Sequence, residues 1–278
     1  MGTLRYRILP VLLASLCLGP CSTLYGEARS ATQQDARHSG AVVRERQRVV
    51  VGSGVEEWRL EWQAPPEPAC EPSSDDWYTC PCVGFAFGET GQLDLVRHVQ
   101  GKPEERLHLS PLFALGFYGE AVAQLPKWPV LAGDMDRMDK PGFADLVKSR
   151  PIVRIMELAD YDHDGGSTEF LLQIGAGPCG HRQTVVVGVS RSNPKLHAFG
   201  TVAHPGTPLV LESPDAWKQL LGSKGKTTVV SWPCGDHGSD EQDEIELVAE
   251  ASAGIRAFHA RYSCGDTARG RLLERVEQ

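Results

Sequence analysis

Residues 160–172 read DYDHDGGSTEFLL, with carboxylates at alternate positions, Asp160, Asp162 and Asp164, directly before Gly165. Three carboxylates at that spacing can converge on one hard cation, and the glycine lets the chain turn sharply around it. Calcium suits the set best, because it accepts about six to eight oxygens in flexible geometry where magnesium demands a strict octahedron. The backbone carbonyl of Gly166 stands at the seventh loop position, and Glu169 is the next carboxylate able to reach in. The expected ligands are therefore Asp160, Asp162, Asp164, Gly166 and Glu169, holding calcium in a structural role. Packed without a cation, such acids repel one another and raise each other's pKa.

Two other readings of the same residues are a solvated turn without an ion and a metal-dependent hydrolase. The hydrolase would use Asp162, Asp164 and Glu169 around a metal, with His163 or His181 assisting. It requires an open coordination position, which a loop closed by its own backbone does not leave.

An EF-hand needs Glu at the twelfth position, where this chain has Leu171, and it needs flanking helices. Here the flanks alternate as strands, with Ile152, Met156 and Leu158 before the loop and Phe170, Leu172 and Ile174 after it. The stretch resembles the calcium hairpin of FG-GAP and VCBS repeats, in which DxDxDG sits between two strands of a propeller blade. That family closes its loop with an acid at the ninth position; Thr168 stands there in this chain and Glu169 follows it.

The elements that must position this loop are mostly strands. EWRLEWQ (57–63) puts Trp58, Leu60 and Trp62 on one face, and a proline-rich loop follows. From Tyr78 the chain alternates through three expected antiparallel strands, with GETG and GKPE as turns. IVRIMELA and EFLLQIGA flank the acidic loop, TVVVGVSR pairs with LHAFGTV, and EIELVAEA pairs with IRAFHARYS. Short helices are expected at FADLVKSR and at SPDAWKQLLG, the latter capped by Ser213 or Asp215 and ended by Gly222. The fold class expected is mainly β, antiparallel, arranged as a sandwich or as propeller-like blades with one or two short helices. GETGQLDLV, GGSTEFLLQI and DEQDEIELV share a turn-then-strand plan that would suit decayed blades.

The N-terminus has Arg5 and Arg7 before the apolar run ILPVLLASLCLGP, the layout of an export signal and too short to span a bilayer. Leu18, Gly19, Pro20 and Cys21 resemble the bacterial lipoprotein box, which implies a lipid anchor on Cys21. Cleavage after Ala28 or Ser30 is the alternative. Residues 1–30 then form the signal peptide, 31–48 a flexible polar tether, and 49–278 the β-rich folded body. Localisation is periplasmic, envelope-anchored or extracellular. Net charge is −8, from 36 acids against 28 bases, with no basic cluster on one element, which argues against nucleic acid as a partner.

The body carries Cys70, Cys80, Cys82, Cys179, Cys234 and Cys264, an even set that in an exported chain suggests three disulfides. Cys234 and Cys264 flank an expected hairpin and are the preferred pair. The alternation of a strand would send Cys80 and Cys82 to opposite faces, hence into different disulfides. A second acidic segment, CGDHGSDEQDEIE, lacks the DxDxDG grammar and is expected to be a solvated loop. GSKGKTT and GVSRS each miss a glycine of the phosphate-loop and nucleophile-elbow patterns. Together these features point to an exported, calcium-bound binding or interaction module with a protein or glycan partner in the cell envelope. A secreted hydrolase and a purely structural envelope lipoprotein are the alternatives.

Overall fold

The computed structural model describes residues 40–71, 82, 84–117, 119–177, 181–251, 254–265 and 268–278. The expected signal peptide, the tether up to residue 39, Cys80 and Cys179 lie outside these residues. The protein is mainly β, as expected, with its strands in four antiparallel sheets. The first sheet runs β1 (Val42–Val51), β2 (Gly54–Trp62), β5 (Leu93–His98) and β6 (Glu105–His108). A small sheet joins β3 (Glu67–Ala69), β4 (Gly88–Gly91) and β7 (Ala123–Pro126). A central sheet orders β10 (His197–Ala198), β9 (Arg182–Gly188) and β8 (Glu169–Ala176). The last is a meander of β11 (Lys226–Trp232), β12 (Glu241–Glu250), β13 (Gly254–Cys264) and β14 (Arg269–Glu277).

Among the described residues three short α-helices punctuate the strands: α1 (Ser110–Phe113), α2 (Phe143–Lys148) and α3 (Pro214–Gly222). The last two stand where apolar spacing placed them. Ser213 caps α3 by accepting the Asp215 N–H at 3.3 Å, so one donor left free by the first helical turn is satisfied. α1 is the addition, in a stretch where LHLSPLF reads as strand. Pro111 sits in its first turn, where a missing N–H costs nothing.

The central sheet is apolar on both faces, so its strands read as nearly continuous hydrophobic runs. Val185 and Val187 of β9 and Phe170, Leu172 and Ile174 of β8 join Trp58, Leu60, Trp62, Leu93 and Leu95 in one buried cluster. Val186 faces the other way, into a second cluster with Trp217 and Leu220 of α3 and Leu247, Ile255 and Ala257 of the last sheet. Burial of each such side chain contributes about 1.5–3 kcal/mol. The acidic loop leads straight into β8, so it is anchored to the most buried layer of the protein.

Four expectations are corrected. Residues 42–48, assigned to the tether, form most of β1, paired with β2 over its whole length. GETG is no turn but strand β4, hydrogen-bonded to both β3 and β7. The three turn-strand starts take unequal places: β5 lies inside the first sheet, β8 at the edge of the central one, and β12 inside the last. They are therefore not equivalent blade positions. The segment 236–246 is largely strand β12, its acids met by bases across the sheet: Glu241 by Arg261, Asp243 by His259, and Glu244 by Arg269.

Of the expected disulfides, Cys234–Cys264 forms, and Cys82 pairs with Cys70. Any pairing of Cys80 or Cys179 falls outside the described residues.

Candidate functional site

IVRIMELA, expected as a strand before the loop, joins the sheets only through a bridge between Ala159 and Glu169. Side chains from β1 take the place of a neighbouring strand. The Glu45 carboxylate accepts the N–H groups of Ile155 (2.7 Å) and Met156 (3.3 Å), while Arg44 donates to the Val153 carbonyl at 3.0 Å and Gln47 to that of Met156. Four backbone groups of the segment entering the loop are thereby satisfied without a ladder. On the far side, β8 starts at Glu169, and β9 closes over it so tightly that a Cβ on Gly188 would lie 2.2 Å from the Thr168 carbonyl oxygen. Only glycine fits there.

Within the loop, side-chain oxygens tie down successive N–H groups. Asp162 Oδ1 accepts from Asp164 at 3.1 Å, Asp160 Oδ2 from Gly165 at 3.0 Å, and Asp164 Oδ1 from Gly166 at 2.8 Å. These bonds bend the chain through His163 at φ 57° and Gly165 at φ +90°, left-handed positions where glycine is at ease and histidine is strained. Carboxylate oxygens of Asp160, Asp162 and Glu169 come within 4.8 Å of one another. Asp160 is half-buried, Asp162 is buried, and Glu169 is fully enclosed.

Asp164 and Gly166, also expected as ligands, are not in this trio. The second oxygen of Asp164 instead accepts the Arg191 N–H at 2.6 Å, pinning the loop to the turn after β9. Gly166 is held by its N–H on Asp164. Sequence reasoning missed Arg191, since an N–H partner 27 residues away leaves no local signal, and gave no role to Tyr161 or Thr168 within the loop itself. His163 is turned away from the acids and donates from Nε2 to the Leu220 carbonyl at the end of α3, at 2.8 Å.

The electrostatics set this cluster apart. Nine carboxylates are buried among the described residues: Glu56, Glu61, Glu89, Asp94, Asp134, Asp162, Asp164, Glu169 and Glu244. Six have an arginine partner: Glu56 with Arg97, Glu61 with Arg59 and Arg106, Glu89 with Arg44, Asp94 with Arg106, Asp134 with Arg150, and Glu244 with Arg269. The three without a basic partner all belong to this loop. Burial pushes Asp162 up to about 6, with the charges of Asp164 and Asp160 adding to the effect against the hydrogen bond from the Asp164 backbone. Burial likewise pushes Glu169 up to about 8, against the hydrogen bond with Thr168, and the charge of Asp162 adds to it.

Glu169 Oε1 lies 2.5 Å from Thr168 Oγ1, and the same hydroxyl lies 2.8 Å from the Val189 carbonyl. One hydroxyl has one proton to give. The consistent arrangement without a cation is a protonated Glu169 donating to Thr168, which donates on to Val189. Tyr161 donates its N–H to the other Glu169 oxygen at 2.8 Å.

No protein-family model, curated protein or solved structure matches this chain. Among the described residues no helix is long and apolar enough to cross a membrane.

Proposed function

We propose that the Asp160–Glu169 loop binds calcium and that the ion is a structural clamp in an exported, disulfide-containing β-protein of the cell envelope. The observation that carries this reading is the charge census: among the described residues every other buried carboxylate has an arginine, and Asp162, Asp164 and Glu169 have none. A divalent cation is the counter-charge that Asp160, Asp162 and Glu169 fit. All donors are hard oxygens, and the loop pattern is the one calcium favours. The FG-GAP and VCBS resemblance supports the same ion.

The clamp would join the entering segment, held by β1, to β8 and to the Arg191 turn, so that binding orders three parts of the fold at once. At free calcium about ten times the dissociation constant, the gain is about 1.4 kcal/mol. The N-terminal apolar run and the two disulfides support export, with attachment through Cys21 as the membrane contact. The role proposed for the folded body is a binding or interaction module for a protein or glycan of the envelope.

Terbium, which takes calcium's oxygen sites, tests the metal reading because Tyr161, a member of the loop, can sensitise it; its ring packs edge to face on Trp217 at 6.2 Å. Terbium luminescence displaced by calcium and abolished in Asp162→Asn is the expected result. Equal luminescence in wild type and variant would contradict it. Mass analysis of the mature N-terminus from exporting cells tests the address, and an uncut Met1 would overturn it.

A further inference from the structure

Behind the acidic loop lies a cleft of about 820 Å³, within the roughly 300–1,000 Å³ of small-molecule sites. Its walls come from four places: the outer face of β8, the extended run 153–157, the segment 128–132 after β7, and one side of α3. Leu171, Trp128, Val130, Met138 and Ile155 supply an apolar interior, and each is only half-buried. Leu131 and Leu221 line the same cleft at 54% and 37% exposure, so large apolar groups stand open to solvent around a concave surface. Water against that recess is costly, and an apolar ligand body would displace it.

The polar groups lining the cleft carry a consistent sign. Arg154, Arg182 and Lys218 are exposed there, against Glu157 as the one lining carboxylate among the described residues. Neither Arg154 nor Arg182 forms an ion pair with a described residue, and Lys218 meets only the exposed Asp215, at 3.4 Å. A positive rim on a chain of net charge −8 is a local reversal of the molecule's field.

We propose that this cleft binds an amphipathic anion, a small molecule with a long apolar body and a carboxylate-type head held by Arg154 and Arg182. Charge complementarity at the rim selects the head, and the half-buried aliphatic and aromatic walls take the body. The proposal does not depend on the ion in the neighbouring loop, although Tyr161 belongs to both places: it lines the cleft while its N–H is held by Glu169.

Calorimetric titration of the full chain with dodecanoate and dodecyltrimethylammonium below their micellar concentrations, and with dodecanol below its solubility limit, tests it. Saturable binding of dodecanoate is expected, with dodecanol weaker and the cation weakest. The double variant Arg154→Glu and Arg182→Glu changes two exposed side chains and should weaken dodecanoate by about tenfold or more while leaving dodecanol unchanged. Near-ultraviolet circular dichroism of the variant confirms its fold. Absence of dodecanoate binding, or equal affinity for the cation, would overturn the proposal. Self-association that buries the cleft, read by sedimentation of the same sample, would assign it to a second copy of the chain and overturn it as well.

Discussion

Replacing Glu169 by glutamine should stabilise the metal-free protein at alkaline pH, the reverse of what removing a buried, hydrogen-bonded side chain usually does. The folded protein holds this carboxyl at about 8 against an ordinary 4.5. A raised carboxyl leaves the fold unpenalised below about pH 4.5, and the cost grows as pH rises and is complete above about pH 8. At pH 8 the cost of ionising Glu169 is about 4 kcal/mol. Glutamine avoids it. Its amide oxygen can accept the Tyr161 N–H, and its NH₂ can donate to Thr168, whose hydroxyl then serves Val189.

Urea unfolding in the presence of chelator measures the effect. With a slope of about 2–3 kcal/mol per molar, the variant's midpoint at pH 8 should lie about 1–2 M above wild type. Below pH 4.5 the gap should shrink to under about 1 kcal/mol. Added calcium should raise the wild-type midpoint and leave the variant's unchanged, narrowing the gap. A variant less stable than wild type in chelator at pH 8, or one that responds to calcium as wild type does, would refute the reasoning.

Asp164→Asn should behave differently, because this residue holds the loop rather than joining the trio. Turning an NH₂ toward either the Gly166 or the Arg191 N–H should cost about 1–3 kcal/mol with or without calcium, read by the same urea curves. Asp134 is held down to about 2, chiefly by its hydrogen bonds from Arg150. Its contribution, about 1 kcal/mol after solvent screening, is present above about pH 4 and lost as pH falls towards 2, so Asp134→Asn should flatten that acid limb. Opening Cys234–Cys264, which closes a loop of sequence separation 30, with Cys→Ser at both positions should cost about 3–4 kcal/mol. A loss under about 1 kcal/mol would show that the β12–β13 pairing alone fixes the ends.

The parts of the fold legible in the sequence are those where apolar spacing decides the structure. Trp58, Leu60 and Trp62 do share a buried face, β8 begins and ends where EFLLQIGA does, and α3 follows its serine cap. Several misses share one physical cause, that polar residues were read as solvated. Arg44, Glu45 and Gln47 were assigned to a tether for their polarity, yet they satisfy the backbone that enters the acidic loop. The acids of 241–244 were assigned to a solvated loop, yet they face bases on β13 and β14, and such partners lie too far along the chain for local pattern to show. β14 was missed for a related reason: every residue in it is exposed, so its Leu and Val alternate with nothing.

In the candidate site, the spacing of Asp160, Asp162 and Asp164 located the loop but not the division of labour within it. Alternation implied three equivalent carboxylates. The fold gives Asp164 to backbone donors and groups Asp160 and Asp162 with the enclosed Glu169, which was also among the expected ligands. That choice depends on the Arg191 turn and on Gly188, which let β9 close over Thr168, and neither is near the loop in sequence.

The most direct test of a calcium clamp is titration of the full chain with calcium at pH 7 in buffers of differing ionisation enthalpy, beside Asp162→Asn. The cation must displace the proton that Glu169 carries when metal-free. One calcium bound with release of about one proton, both lost in the variant, is the result the clamp requires. Absence of binding, or binding without proton release that persists in Asp162→Asn, would contradict it.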